Sequence, residues 1–285
     1  MGPSNDDLIS LISDKSLNCI ADKAIENLIG LFGDPIESIV NNLTLLAEEY
    51  KKELKYFKIR KVFDGDNKLP KILLINGFLQ KHSDVDDWLK SINKKFKYNT
   101  KLHVDWDSRN MDDFGNILFR LFKPGVAIPD LILNMWFRAY MNAEKAGIIL
   151  ANYLQKNNKS NYILMGHSLG CRVAYYAAKK LAEINYKGID SMFLLSGAVG
   201  NQDWDKITNI VNKKIYNFYS PEDSILFGFY RASFFGLNEE PIGITRIAYK
   251  NNKIKNKDVT SKLEKYEDTS SFLHMRYKDA LREFW

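Results

Sequence analysis

Ser168 stands between two glycines in Gly166-His167-Ser168-Leu169-Gly170, straight after the apolar run Tyr162-Ile163-Leu164-Met165. A helical-period segment, Cys171-Arg172-Val173-Ala174-Tyr175-Tyr176-Ala177-Ala178, follows at once. Small residues are poor strand formers, so sheet stability does not explain the choice. A serine on a sharp strand-to-helix turn has its hydroxyl pushed out at a helix N-terminus, where developing negative charge is favoured. Flanking glycines let strand and helix pass closely. The chemistry this suits is nucleophilic attack by Ser168 Oγ on an acyl carbon. The plainer alternative is a helix-capping serine in an ordinary turn.

A serine hydroxyl needs a base to take its proton, and the base needs a carboxylate to orient it. On a strand–turn–helix nucleophile the chain order is serine, acid, histidine. Of the four histidines, His82, His103, His167 and His274, only His274 lies beyond both Ser168 and the later strand-like runs. The acid is expected on a loop after a late strand, and Lys214-Ile215-Tyr216-Asn217-Phe218-Tyr219-Ser220 is followed by Pro221-Glu222-Asp223. Asp223 is the first choice, Glu222 the second and Asp203, after the preceding strand, the third. An oxyanion hole needs two main-chain donors. Leu169 N–H supplies one. The other is assigned to Phe78, with Leu79 as fallback, in the loop that follows Lys71-Ile72-Leu73-Leu74-Ile75. Backbone amides polarise the carbonyl in this scheme, so neither metal nor cofactor is expected. Cys19 and Cys171 form no zinc-type spacing.

These groups must be held by elements, and the chain supplies a regular alternation. Strand-like runs at 71–76, 101–106, 161–166, 191–196, 214–220 and 244–250 are short and rich in β-branched or aromatic residues, and Lys55–Phe63 alternates in strand fashion. Segments of helical period separate most of them, such as Asp84–Phe96, Asn142–Lys156 and Cys171–Ile184. Near-continuous apolar strands alternating with helices predict an α/β protein with a mainly parallel sheet covered on both faces. Residues 1–55 read as an amphipathic helical extension, and 56–285 as the α/β domain. Two aromatic-rich stretches, 112–141 and 224–237, interrupt the alternation. In an enzyme acting on apolar substrates they would wall the pocket; otherwise they are packed crossover helices.

Composition bounds the setting. The chain has 285 residues, is 45% hydrophobic and carries a net charge of +6, enough for one large domain with a substantial core. The lysine-rich stretches read first as solvated loops. Peripheral contact with an anionic membrane is a second use of the charge, and with no nucleic-acid-binding motif beside it a nucleic-acid partner is not expected. The N-terminus lacks the basic start and apolar core of a secretory signal, and no apolar run is long enough to span a bilayer. A cytoplasmic protein, or one peripheral to a membrane, is expected.

Several collinear segments together carry a family resemblance: Ile75-Asn76-Gly77-Phe78-Leu79, Val104–Gly115, Met165–Glu183, Phe193–Ile207, Val211–Ser233 and Phe272–Tyr277. Over roughly residues 70–285 the chain resembles the α/β-hydrolases related to transmembrane and coiled-coil domain-containing protein four, long catalogued as a domain of unknown function. The resemblance implies an α/β-hydrolase fold with Ser168 as nucleophile, Asp223 as acid and His274 as base. It also implies lipase- or phospholipase-like hydrolysis of lipid or other ester substrates. The chain departs from the eukaryotic members in lacking their transmembrane segments. The competing expectation is an inactive hydrolase-fold scaffold that binds a protein partner through its N-terminal helices; an active-site serine probe separates the two.

Overall fold

In the run Ile72-Leu73-Leu74-Ile75 every side chain is apolar and every one is fully buried. Successive strand side chains point to opposite faces, so a run like this is stable only when both faces are covered. They are. Leu73 and Ile75 belong to one core, with Val104, Leu164 and Leu194; Ile72 and Leu74 belong to a second, with Ile163, Met165 and Leu195.

The computed structural model describes residues 54–78, 80, 85–108, 130–159, 161–232, 240–265 and 273–285. The expected helical extension lies outside them except for its last two residues, as do Leu79, His82 and the first part of the 112–141 stretch. In chain order the described elements begin with β1 (Phe57–Phe63), β2 (Lys71–Ile75), α1 (Asp86–Ile92), β3 (Lys101–Trp106) and α2 (Asp130–Lys156). Next come β4 (Tyr162–His167), α3 (Leu169–Glu183), β5 (Ile189–Leu195), α4 (Trp204–Ile210) and β6 (Ile215–Tyr219). The chain closes with α5 (Ser224–Ala232), β7 (Ile254–Asp258), α6 (Thr260–Glu264), a 3-10 turn (Leu273–Met275) and α7 (Tyr277–Arg282).

The strands form one sheet in the order β1-β3-β2-β4-β5-β6-β7. β1 is antiparallel to β3, and every other pairing is parallel. Helices α2, α3 and α4 cover one face, and α1, α6 and α7 the other. This is the α/β-hydrolase fold. β3 lies on one side of β2 and β4 on the other, so the order reverses between β2 and β4. A cleft opens at such a reversal beyond the carboxyl ends of the strands, and that is where ligands bind in open α/β sheets.

One expected strand is placed differently. Residues 244–250 are not a strand; the seventh strand is the polar Ile254-Lys255-Asn256-Lys257-Asp258. The 244–250 segment is held by side-chain amides instead. Asn256 Oδ1 accepts from Ile247 N–H at 2.9 Å, Asn256 Nδ2 donates to Ile247 O at 3.1 Å, and Asn217 Nδ2 donates to Thr245 O at 3.0 Å. Ile244 and Ile247 are buried in the core. Their apolar character therefore reflects packing rather than a ladder.

Candidate active site

β4 runs out at His167, and the chain must reverse into α3 within one residue. Ser168 takes φ 54° and ψ −122°, a combination sparsely populated by non-glycine residues and one that stores strain where it occurs. The flanking glycines make room for it. A Cβ on Gly166 would sit 2.7 Å from Cys171 N, and one on Gly170 would collide with the carbonyls of Ile75 and Asn76 at the end of β2. Ser168 itself is buried at 6% exposure. Its N–H donates to Leu195 O at 2.9 Å and its carbonyl accepts from Cys171 and Ala198 N–H, so the turn is held from both sides.

The loop after β2 lies against this turn. A Cβ on Gly77 would meet Ser168 Cβ at 2.8 Å and His167 O at 2.9 Å. Gly77 N–H donates to Gln80 Oε1 at 3.1 Å, which tightens the loop. Asn76 pins its base: its carbonyl accepts from Trp106 Nε1 at 2.9 Å and its Oδ1 from Trp88 Nε1 at 2.7 Å. Phe78 follows, half-buried, with its ring edge-on to Phe229 of α5 at 5.9 Å between centroids. Leu169 is the first residue of α3, where the main-chain N–H has no helical acceptor.

Asp223 and His274, 51 residues apart, meet in the interior. His274 Nδ1 lies 2.9 Å from Asp223 Oδ2 and 3.1 Å from Oδ1. Asp223 is fully buried, and its Oδ1 also accepts from Leu226 N–H at 3.0 Å. Burial alone would raise its carboxyl pKa. The imidazole of His274 and the hydrogen bonds from His274, Ser196 and Leu226 outweigh that, so the pKa falls below the ordinary carboxylate value. Glu222 is exposed, and Asp203 is engaged at the surface by Lys179 at 2.8 Å and Lys206 at 2.6 Å. Of the three carboxylates weighed, Asp223 is the one beside the histidine.

His274 also lies beside the turn that carries Ser168. His167 Nε2–H donates to His274 O at 2.8 Å, and the two rings are 5.0 Å apart. Burial, then the neighbouring His274 and Lys278, holds His167 well below the usual imidazole range, so its ring is neutral. The hydrogen bonds of His274 go to Asp223, Ser196 and His167; the Ser168 hydroxyl and the imidazole make no direct one here. Catalytic hydrogen bonds are often long in unliganded sites and tighten around substrate. His103 is fully buried inside β3, with Arg60 at 3.0 Å from its Nδ1.

Sequence reasoning treated Ser196 only as the last residue of a strand. Its hydroxyl donates to Asp223 Oδ2 at 2.5 Å and lies 2.9 Å from His274 Nδ1. The available signal was a serine closing an otherwise apolar strand, as Ser168 nearly does. An aromatic cluster drawn from the 112–141 and 224–237 stretches continues inward from Phe78. Trp136 stacks on Phe229 at 6.0 Å and lies 5.0 Å from Tyr140, whose ring carries the buried Arg172 guanidinium at 3.4 Å. Among the described residues, no group of three or more His, Cys, Asp or Glu is placed to hold a metal ion, and no helix is long and apolar enough to cross a membrane.

The family described as "Protein of unknown function (DUF726)" matches residues 123–284. No curated protein matches the chain in sequence. Among solved structures, a protein from Thermoplasma acidophilum described as a predicted CIB-like hydrolase is similar at TM-score 0.39 and 12% identity, over 81% of this chain and 95% of that one. The Bacillus licheniformis lipase BlEst2 is similar at TM-score 0.39 and 14% identity, over 73% and 90%. A Pyrobaculum calidifontis esterase is similar at TM-score 0.30 and 13% identity, over 71% and 61%. These likenesses are distant, and none speaks to the activity of this chain.

Proposed function

The chain belongs to the family of proteins of unknown function DUF726, and from that premise and the site's geometry we propose that it is a serine hydrolase cleaving carboxylic esters of lipid-like substrates. The observation that carries this reading is the strained Ser168 between β4 and α3, with the buried Asp223–His274 pair beside it. A serine does not adopt φ 54° in order to cap a helix, and no side-chain cap bond is made there.

Each group has a role in the reaction. His274 Nε2 takes the proton from Ser168 Oγ as Oγ adds to the ester carbonyl; the two atoms come within about 3 Å for this transfer. The carbonyl π electrons move to oxygen, and the resulting oxyanion accepts hydrogen bonds from Leu169 N–H and Phe78 N–H. Asp223 stabilises the imidazolium through Nδ1–H and keeps Nε2 turned toward the serine. The imidazolium then gives its Nε2 proton to the departing alkoxide as the carbon–oxygen bond breaks, leaving an acyl-Ser168. Water adds to this ester with its proton passing to Nε2. Collapse then expels Ser168 Oγ, which recovers that proton, and frees the carboxylic acid. Among the described residues, burial keeps His167 neutral and leaves His274 as the base beside Ser168.

The preference for lipid-like acyl groups rests on the aromatic side chains next to the oxyanion loop. Phe78 touches Phe229, and Phe229 touches Trp136. This gives the site an aromatic, apolar side. The test is active-site labelling with a fluorophosphonate probe, together with hydrolysis of p-nitrophenyl esters of increasing chain length. Wild-type protein should label at Ser168 and prefer medium or long acyl chains. Ser168→Ala should lose labelling and lower kcat by roughly a millionfold while retaining its thermal transition. Labelling that persists in Ser168→Ala would sink the assignment.

A further inference from the structure

We propose that Ser196 is a positioning residue of this site: its hydroxyl, shared between Asp223 and His274 Nδ1, orients the imidazole and sets the acid limb of the pH dependence. The inference rests on the functional reading above and adds a fourth side chain to it.

Ser196 follows β5, as the nucleophile follows β4. It is fully buried and has φ 48°. Its surroundings over-determine that conformation. Its N–H donates to Phe218 O on β6 at 3.0 Å, and the next carbonyl, Gly197 O, accepts from Gly243 N–H at 3.0 Å. Gly243 is pressed so closely against the Ser196 backbone that no side chain would fit there. A positive-φ serine persists only where its surroundings enforce it, and such residues gather at functional sites.

The hydrogen-bond roles follow from atom types. A carboxylate only accepts, so Ser196 Oγ–H donates to Asp223 Oδ2, at 2.5 Å. The Ser196 lone pairs are then free to face His274 Nδ1 at 2.9 Å, the same distance as from Nδ1 to Asp223 Oδ2. The Nδ1–H is thereby bifurcated between two oxygens held by two different strand ends. A ring gripped this way cannot flip without losing both bonds, and its Nε2 is left for the substrate side.

The same hydroxyl tunes charge. Asp223 has a neutral donor on each oxygen, Leu226 N–H on Oδ1 and Ser196 on Oδ2. The titratable groups around the pair are His167 from β4, Tyr277 and Lys278 from α7, and the pair's own members on the loop after β6 and the 3-10 turn. His167 stays neutral, and burial lifts Tyr277 well above its usual range. Deleting the Ser196 donor makes the carboxylate more basic and its hold on Nδ1–H stronger. The Asp223 carboxyl then takes up its proton at higher pH and ceases to orient the imidazole there.

The experiment measures the rate of fluorophosphonate labelling against pH for full-length wild type, Ser196→Ala and Ser196→Gly. Two variants are needed because alanine keeps the strained φ, whereas glycine relieves it and equally lacks the hydroxyl. The acid limb is expected to rise by about one pH unit in both, with labelling near neutrality slowed roughly tenfold. An unmoved limb in both variants, whether or not the rate drops uniformly, overturns the proposal while leaving Ser168 as nucleophile. Failure of both variants to fold also overturns it, by making the hydroxyl a structural requirement. Wild type that never labels would instead remove the functional reading on which Ser196's role depends.

Discussion

A buried carboxylate stays ionised only if donors surround it, and at the level of single residues Asp223 shows how that is met. Asp223 loses water on every side and gains His274, Ser196 and Leu226 N–H in return. Its folded pKa lies below the ordinary 3.8. The stability it contributes is therefore complete above that ordinary value and disappears as pH falls through the depressed one. Urea unfolding of wild type and Asp223→Asn, stepped from about pH 6 to about pH 2.5, should show a gap that is constant at the upper end and closes below about pH 4. A gap independent of pH would mean that the carboxylate's charge contributes nothing to folding. Chain order and loop position led to Asp223 but left Glu222 and Asp203 open, because all three are short acidic side chains past a strand. Burial separates them, and burial is a property of the folded chain.

The strand ends and helix starts explain the glycines. Gly170 is the point where α3 leaves β4 and crosses the end of β2, and a methyl group there would strike the carbonyl oxygens of Ile75 and Asn76. Backbone cannot swing aside as a long side chain can, so the helix itself must move. Gly170→Ala should cost about 1–3 kcal/mol by urea denaturation and slow fluorophosphonate labelling well beyond what that loss of stability explains. Normal labelling would show that the close approach of helix and strand does not matter to the serine. The hydrophobic pattern located most of these elements, because fully buried strands leave continuous apolar runs and amphipathic helices leave a 3.6-residue period. It failed at 244–250, where Ile244 and Ile247 are buried by a loop tied to Asn256 and Asn217. The true β7 was hidden by its lysines and asparagine.

At the scale of the whole molecule, the sheet formed by the described residues has β1 and β7 at its edges. An unpaired edge is a template for another chain's strand, and charge on it is a common protection. β7 carries Lys255 and Lys257, both exposed, on one face of a five-residue strand. Replacing both with valine should leave the monomer's secondary structure unchanged but promote self-association, read by light scattering across a concentration series. A double variant as monodisperse as wild type would mean that the edge is protected by something other than charge. The same topology brings the ends of β2, β4, β5 and β6 to one rim, and the reversal of order between β2 and β4 puts Ser168 and the Phe78 loop side by side there.

The α/β alternation, the strand–turn–helix around Ser168, and His274 as the one histidine late enough to serve were all legible in the linear chain, because each depends on local periodicity or on order along the backbone. The contact between Asp223 and His274, the hydroxyl of Ser196 between them, the pinning of the loop after β2 by Asn76, and the polar seventh strand were decided only by tertiary structure. Each of these is a contact between residues far apart in sequence, made in a place without water. There the energy of a hydrogen bond depends on what else is buried, and local spacing carries no record of that.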